Sequence, residues 1–161
     1  MNENSISVSI TASKTRLKDI VVRIEEIGWQ KRVDSFYFLL DGSRTSFAVL
    51  PGRLAKLFED WLTILEKDTP VHYLPISFSE QFIGAFSVQQ TAKEEVSLSY
   101  GYLEGLIGSD VPPSKIKELD LTSVQFIQSY PELDYAINAS RLKANIAKLI
   151  LEMRTLSDST S

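Results

Sequence analysis

The chain alternates between stretches with apolar side chains at every second residue and stretches with them at every third or fourth. Ile6, Val8 and Ile10 alternate with serines, which predicts a strand with one buried face. Helical spacing between Thr15 and Gly28 predicts an amphipathic helix, with Gly28 at its C-terminal end. The apolar residues of this segment are Leu17, Ile20, Val21, Ile24 and Ile27.

The next segment carries the signal of a hairpin followed by a second helix. Two β-prone runs, 35–40 and 45–50, flank the turn-forming pair Asp41-Gly42. After Pro51, helical spacing resumes and predicts a helix from Gly52. Its apolar residues are Leu54, Leu57, Phe58, Trp61, Leu62 and Leu65.

Three strand patterns follow, at 71–78, 82–90 and 96–102, with a turn at 91–94 between the last two. Pro75 interrupts the first pattern and indicates an edge strand or a bulge. The third pattern places four large side chains on one face: Val96, Leu98, Tyr100 and Tyr102.

The remaining chain predicts a loop, an ambiguous segment and a final helix. Glycines and prolines between 103 and 114 indicate a loop, and for 116–130 short helical segments are favoured over a strand. The helix begins near Ser140, a possible N-cap, and its apolar residues are Leu142, Ile146, Leu149, Ile150 and Met153. We therefore expect one α+β domain over 1–156, a mostly antiparallel sheet with about three main helices packed on it, and a disordered C-terminal tail at 157–161.

The composition is that of an ordinary globular domain. The 161 residues are 43% hydrophobic and 24% charged, which is enough to form one core. There is no apolar run of the roughly 20 residues needed to cross a bilayer, no signal-peptide pattern and no cysteine, so a cytoplasmic location is expected. The net charge of −4 argues against nucleic-acid binding.

Few side chains suggest chemistry. His72 is the only histidine, and a strand histidine bonded to a neighbour or exposed to water is favoured over a catalytic base. The glycines at 101, 105 and 108 resemble a phosphate-binding loop only superficially, because Pro112-Pro113 and two acids, Glu104 and Asp110, lie where a helix N-terminus should follow. We expect no catalytic residue, metal site or cofactor, and no enzymatic activity.

The charges are unevenly distributed. Residues 59–134 carry 13 acids and 4 bases, whereas the flanking segments are net positive. These acids could form a docking surface that steers a basic partner, or they could simply keep the surface soluble. If a docking surface forms, the predicted partner-binding residues are Glu94, Glu95, Glu104 and Asp110, with Tyr102 as an aromatic anchor.

We therefore expect a protein-binding module without membrane or nucleic-acid partners. The first hypothesis is an immunity or antitoxin-type protein that occludes a basic, nuclease-like toxin. The second is a chaperone for a secreted effector. A third, from another class, is a small-ligand protein or enzyme that uses a cleft near Tyr100–Asp110, with His72 as its base. The oligomeric state and the strand order stay open.

Overall fold

The computed structural model describes residues 6–11, 16–39, 49–108, 110–121, 124–130 and 132–160, and the side chains of 159 and 160 are not described. The eight described strands are β1 Ser7–Ile10, β2 Ile20–Ile24, β3 Trp29–Val33, β4 Val71–Phe78, β5 Ile83–Ala92, β6 Glu95–Leu103, β7 Phe126–Gln128 and β8 Tyr135–Asn138. The two α-helices are α1 Leu50–Leu65 and α2 Ala139–Thr160. All strand pairs are antiparallel, so the predicted α+β class is confirmed.

The N-terminal sheet has the order β1-β2-β3, and it overturns the helix predicted between Thr15 and Gly28. Residues Ile20–Ile24 form a strand, followed by a single 3₁₀ turn that ends at Gly28 with φ of +70°. Ile20, Val21 and Val22 are all buried, so both faces of this strand are covered. A strand buried on both faces loses its two-residue period, which is why the spacing imitated a helix.

The predicted strand at 35–40 is also wrong. Phe36–Leu39 form a 3₁₀ helix, and the ring of Phe38 packs edge-on against Phe78 with centroids 5.5 Å apart. The predicted turn at Asp41-Gly42 lies outside the described residues. Helix α1 begins at Leu50, before the predicted start at Gly52, and Pro51 occupies its first turn, where a missing N–H costs nothing.

The second sheet confirms the three strands predicted from Val71 onward. Strands β4, β5 and β6 form a meander, and both β7 and β8 pair with the outer edge of β6. Strand β4 lies at the other edge, and its register shifts between Pro75 and Ser77. Pro75 predicts an edge strand or a bulge, and β4 has both features.

The segment that was ambiguous in the sequence combines both kinds of structure. A 3₁₀ helix at Pro113–Glu118 contacts α1 and β4, and the short strand β7 follows at Phe126–Gln128. The favoured short helical segments are therefore correct for the first part and wrong for the second. The chain crosses from the end of β6 to the outer side of β4 and returns to pair with β6 again.

Helix α2 packs against α1 and begins one residue before the predicted start. Its N-terminus is capped by Asn138 rather than by Ser140, because the Asn138 side-chain oxygen accepts hydrogen bonds from the N–H groups of Ser140 and Arg141. The helix continues to Thr160, into the stretch that the sequence assigned to a tail. Among the described helices, none is long and apolar enough to cross a membrane.

One hydrophobic core joins both sheets and both helices. At its centre, the ring of Phe86 is surrounded by three aromatic rings whose centroids lie 5.2 to 6.0 Å from its own: those of Trp29, Trp61 and Tyr100. The edge of β1 is attached to α2 by a buried amide: the Asn145 side chain accepts from the Ile6 N–H at 2.7 Å and donates to its C=O at 3.0 Å. This contact satisfies backbone groups that would otherwise be buried without partners.

Candidate functional site

An apolar groove lies beside the first half of β4. Its volume of about 560 Å³ falls within the usual range for binding sites. One wall is the outer side of β4, the end of α1 contributes Ile64, and residues 116–121 and 124 of the returning segment form the opposite wall. The apolar lining residues are Ile64, Pro70, Val71, Tyr73, Ile116, Leu119, Leu121 and Val124.

The position of Pro75 determines which backbone N–H and C=O groups of β4 point toward the groove. Pro75 is paired with Ala85, and because proline has no N–H, this pair must be of the type that exchanges no hydrogen bonds. Backbone groups of a strand point alternately to either side, and the pairing is regular from Val71 to Pro75. Val71, Tyr73 and Pro75 therefore direct their backbone groups away from β5.

Some of these outward groups are already satisfied. The Trp61 indole N–H donates to the Pro75 carbonyl at 2.8 Å, and the Thr69 hydroxyl donates to the Val71 carbonyl at 3.0 Å. The Tyr73 N–H and C=O and the Val71 N–H have no hydrogen-bond partner within the part of the chain that the structure describes. Strand β4 thus presents a short unpaired edge at the groove, centred on Tyr73.

Two polar contacts hold the end of the groove together. The Lys67 ammonium donates to the Lys117 carbonyl at 2.9 Å, which links the chain after α1 to the 3₁₀ helix of the opposite wall. His72 Nε2 lies 2.7 Å from the Lys67 carbonyl, and since a carbonyl only accepts, Nε2 carries the proton. His72 is thus bonded to a neighbour, as predicted, and it ties β4 to the preceding loop.

The ring of Tyr73 is held by an aromatic contact from the far edge of the sheet. Its centroid lies 5.4 Å from that of Phe126 on β7, and the two planes differ by 27°. The stacking keeps the Tyr73 ring against the sheet face, beside an open groove. Such pairs contribute about 1 kcal/mol beyond the area they bury.

The predicted partner-binding acids divide between two ends of the second sheet. Glu94 and Glu95 lie at the start of β6, whereas Glu104 follows its end, nine residues beyond Glu95. At about 3.3 Å per residue, the two groups are about 30 Å apart. The four acids therefore do not form the single docking surface expected from the sequence.

Tyr102 and Glu104 lie at the end of β6, and the loop that carries Asp110 approaches the same end of the sheet. The Gly108 N–H donates to the Ser79 carbonyl at 2.6 Å, which brings the loop containing Asp110 against the β4–β5 turn at the end of β6. The side chain of Tyr102 is half-buried, and both acids are exposed.

The cleft expected near Tyr100–Asp110 lacks two of its proposed members. Tyr100 is completely buried, with its hydroxyl against Gly84, so it lines no cleft. His72 is in register with Leu98, two strands away and four residues short of Tyr102, which gives a separation of about 16 Å. A base must reach its proton by a hydrogen bond, so His72 cannot act at that place. Among the described residues, no three His, Asp or Glu side chains are grouped closely enough to hold a metal ion.

The residues of the groove were missed as a site by sequence reasoning. Val71 and Tyr73 were identified only as strand residues, and the wall residues 116–121 and 124 belonged to the ambiguous segment. The available signal was Pro75, because a proline in a strand marks an edge and fixes which backbone groups face outward.

Comparison with known protein families, with curated proteins and with solved structures gives no match.

Proposed function

We propose that this protein binds an extended, apolar segment of a partner protein by adding it as a strand to the open edge of β4. The observation that supports the proposal most strongly is the unpaired backbone of Tyr73 beside a groove of about 560 Å³. In strand addition, main-chain hydrogen bonds provide affinity and pockets for alternate side chains provide selectivity. The groove offers both elements side by side.

The arrangement favours a peptide over a small apolar molecule. A hydrocarbon ligand would fill the groove but would leave the Tyr73 N–H and C=O without partners and covered from water, which costs about 1–3 kcal/mol per group. A peptide strand pairs both groups while its side chains contact Val71, Leu119 and Val124. The expected ligand therefore has two or three apolar residues at alternate positions.

Of the partner classes that the sequence leaves open, this mode of binding supports the effector chaperone more than the immunity protein. A chaperone holds an extended segment, whereas occluding a nuclease calls for one acidic surface, and the four predicted acids are divided between two ends of the sheet. A non-enzymatic role and a cytoplasmic location stay predictions.

The proposal is tested with labelled synthetic heptapeptides in which valine or leucine alternates with threonine, read by NMR amide shifts. Binding is expected to shift the amide resonances of Val71 and Tyr73 most, since these N–H groups gain a hydrogen bond. The matched control is the same peptide with N-methyl groups on the backbone nitrogens that face β4. It keeps every side chain, and its affinity is expected to fall about tenfold for each hydrogen bond lost.

Two results would overturn the proposal. One is equal binding of the N-methylated and unmodified peptides, which would show that backbone pairing contributes nothing. The other is occupation of the groove by an apolar dye such as anilinonaphthalene sulfonate while no peptide shifts the Tyr73 amide, which would indicate a small-molecule site.

A further inference from the structure

A second surface lies at the opposite end of the sheet, where three apolar side chains form a continuous patch. The rings of Phe82 and Tyr102 are 4.1 Å apart between centroids. Ile127 is directly opposite Tyr102 in the pairing of β6 with β7, so both side chains point to the same face. Ile127 is 43% exposed, and the two aromatic side chains are half-buried. We call Phe82, Tyr102 and Ile127 the terminal patch.

The acids around the terminal patch come from three places in the chain. Glu80 lies two residues before Phe82, and Glu104 lies two residues after Tyr102. The hydrogen bond from Gly108 to Ser79 attaches the loop that carries Asp110. The three carboxylates are exposed, and Glu80 also accepts a hydrogen bond from the Tyr37 hydroxyl, whose pKa is raised by burial and by that acid.

The segments that form the patch carry no bases of their own, and the nearby bases belong to other segments. The segments that build it, 79–84, 102–112 and 124–130, have no lysine or arginine. The Lys31 ammonium lies 5.7 Å from the ring centroid of Tyr100. Arg53 and Lys56 line a pocket with Tyr37 and Pro112, and Lys56 is paired there with Asp60. The other end of the sheet has a mixed charge. The segments there, 67–70, 90–95 and 138–143, carry Glu94, Glu95 and one further acid, together with four bases.

We propose that the terminal patch docks a basic segment of a protein partner, with one large apolar side chain seated on Tyr102 and Ile127. Lysine or arginine residues on either side of that anchor face Glu80, Glu104 and Asp110. An apolar centre with a polar, charged rim is the usual anatomy of a protein interface, and the exposed acids of this rim favour a basic partner. This surface shares β7 with the β4 groove, since Phe126 stacks on Tyr73, but it does not rest on the function proposed for that groove.

The test uses a labelled peptide with a central tryptophan flanked by two lysines on each side, titrated at low and at high salt. The protein is compared with two double variants of equal net charge, Glu104→Lys/Asp110→Lys and Glu94→Lys/Glu95→Lys. The first is expected to weaken binding about tenfold at low salt, and the second by less than about twofold. Ile127→Ser is expected to weaken binding at low and at high salt, because it removes an apolar contact.

Equal losses in the two double variants would overturn the proposal, since they would show attraction to overall charge rather than to this surface. It would also be overturned if a peptide with glutamates in place of the lysines bound as well. Val71→Ala serves as a check on the site: it shortens a groove-lining side chain at the start of β4, and binding of the basic peptide is expected to be unchanged. A loss with this variant would place the peptide in the groove instead.

Discussion

The ring of Tyr73 on β4 stacks on the ring of Phe126 on β7, with centroids 5.4 Å apart, although the two strands lie at opposite edges of the second sheet. Three strand spacings amount to about 14 Å, so the two rings must reach toward each other across the sheet face. The residues beneath them are small: the Phe126 ring lies 2.8 Å from where a Cβ of Gly101 would be, and Ala85 is next to Gly101 in register. One wall of the groove therefore depends on β7.

Phe126→Ala is expected to weaken both the fold and the groove. Losing the stacked ring should lower the free energy of unfolding by about 2 kcal/mol, and the heptapeptide affinity should fall several-fold because the Tyr73 ring loses its support. Urea denaturation and peptide titration measure the two effects. Phe126→Tyr keeps the ring and should retain most of both. If Phe126→Ala bound the heptapeptide with unchanged affinity, the groove would not depend on β7.

Gly101→Ala is expected to displace β7. The new Cβ would lie 2.1 Å from the backbone oxygen of Ile127, so the strand itself must move, at a cost of about 3 kcal/mol. Gly105→Ala is the matched control, because Gly105 has no atom within 4 Å of that position and only its φ of +87° opposes the substitution. That strain costs about 1 kcal/mol. If both variants lost equal stability, the close approach at Gly101 would not be what holds β7.

The buried Tyr100 hydroxyl should make the protein sensitive to alkali. Burial raises the pKa of Tyr100 well above the ordinary value of 10.0, because a phenolate would be taken out of water. With the folded-state pKa above the unfolded one, stability is complete below about pH 10 and is lost as pH rises above that.

Tyr100→Phe is the variant that tests this. The hydroxyl has no hydrogen bond of good geometry among the described residues, with Ser77 the polar side chain beside it, so its removal should change stability at neutral pH by less than about 1 kcal/mol. Above pH 10 the variant should lose stability less steeply than the natural protein in urea titrations. If the stability of the two proteins fell equally with pH, groups other than Tyr100 would be responsible for the loss at high pH. Lys56, whose pKa is raised by its hydrogen bond to Asp60, acts in the same direction in both proteins.

The sequence predicts a strand of this fold correctly when only one face of that strand is buried, and it fails when both faces are buried. In β6 the face carrying Val96, Leu98 and Tyr100 is the buried one, and its period of two was read correctly. In β2 both faces are covered, so the apolar residues follow one another and match a helical spacing by coincidence. The run of β-branched residues in Ile20–Ile24 was the available counter-signal.

The groove and the charged surfaces could not be predicted in the same way, because they depend on where the chain returns. The wall formed by residues 116–121 and 124 lies beside β4 through tertiary contacts of the 3₁₀ helix with α1 and β4. Similarly, Glu94 and Glu104 are close in sequence but are separated by the length of β6. A run of acids along a strand-rich segment therefore does not specify one surface.

The most direct measurement compares heptapeptide binding by Tyr73→Pro and Tyr73→Ala. Both variants lose the ring, but only proline removes the outward N–H, and Pro75 shows that β4 accepts proline two residues along on the same side. Strand addition predicts that Tyr73→Pro binds about tenfold more weakly than Tyr73→Ala, with similar melting temperatures. Equal affinities for the two variants would contradict the account.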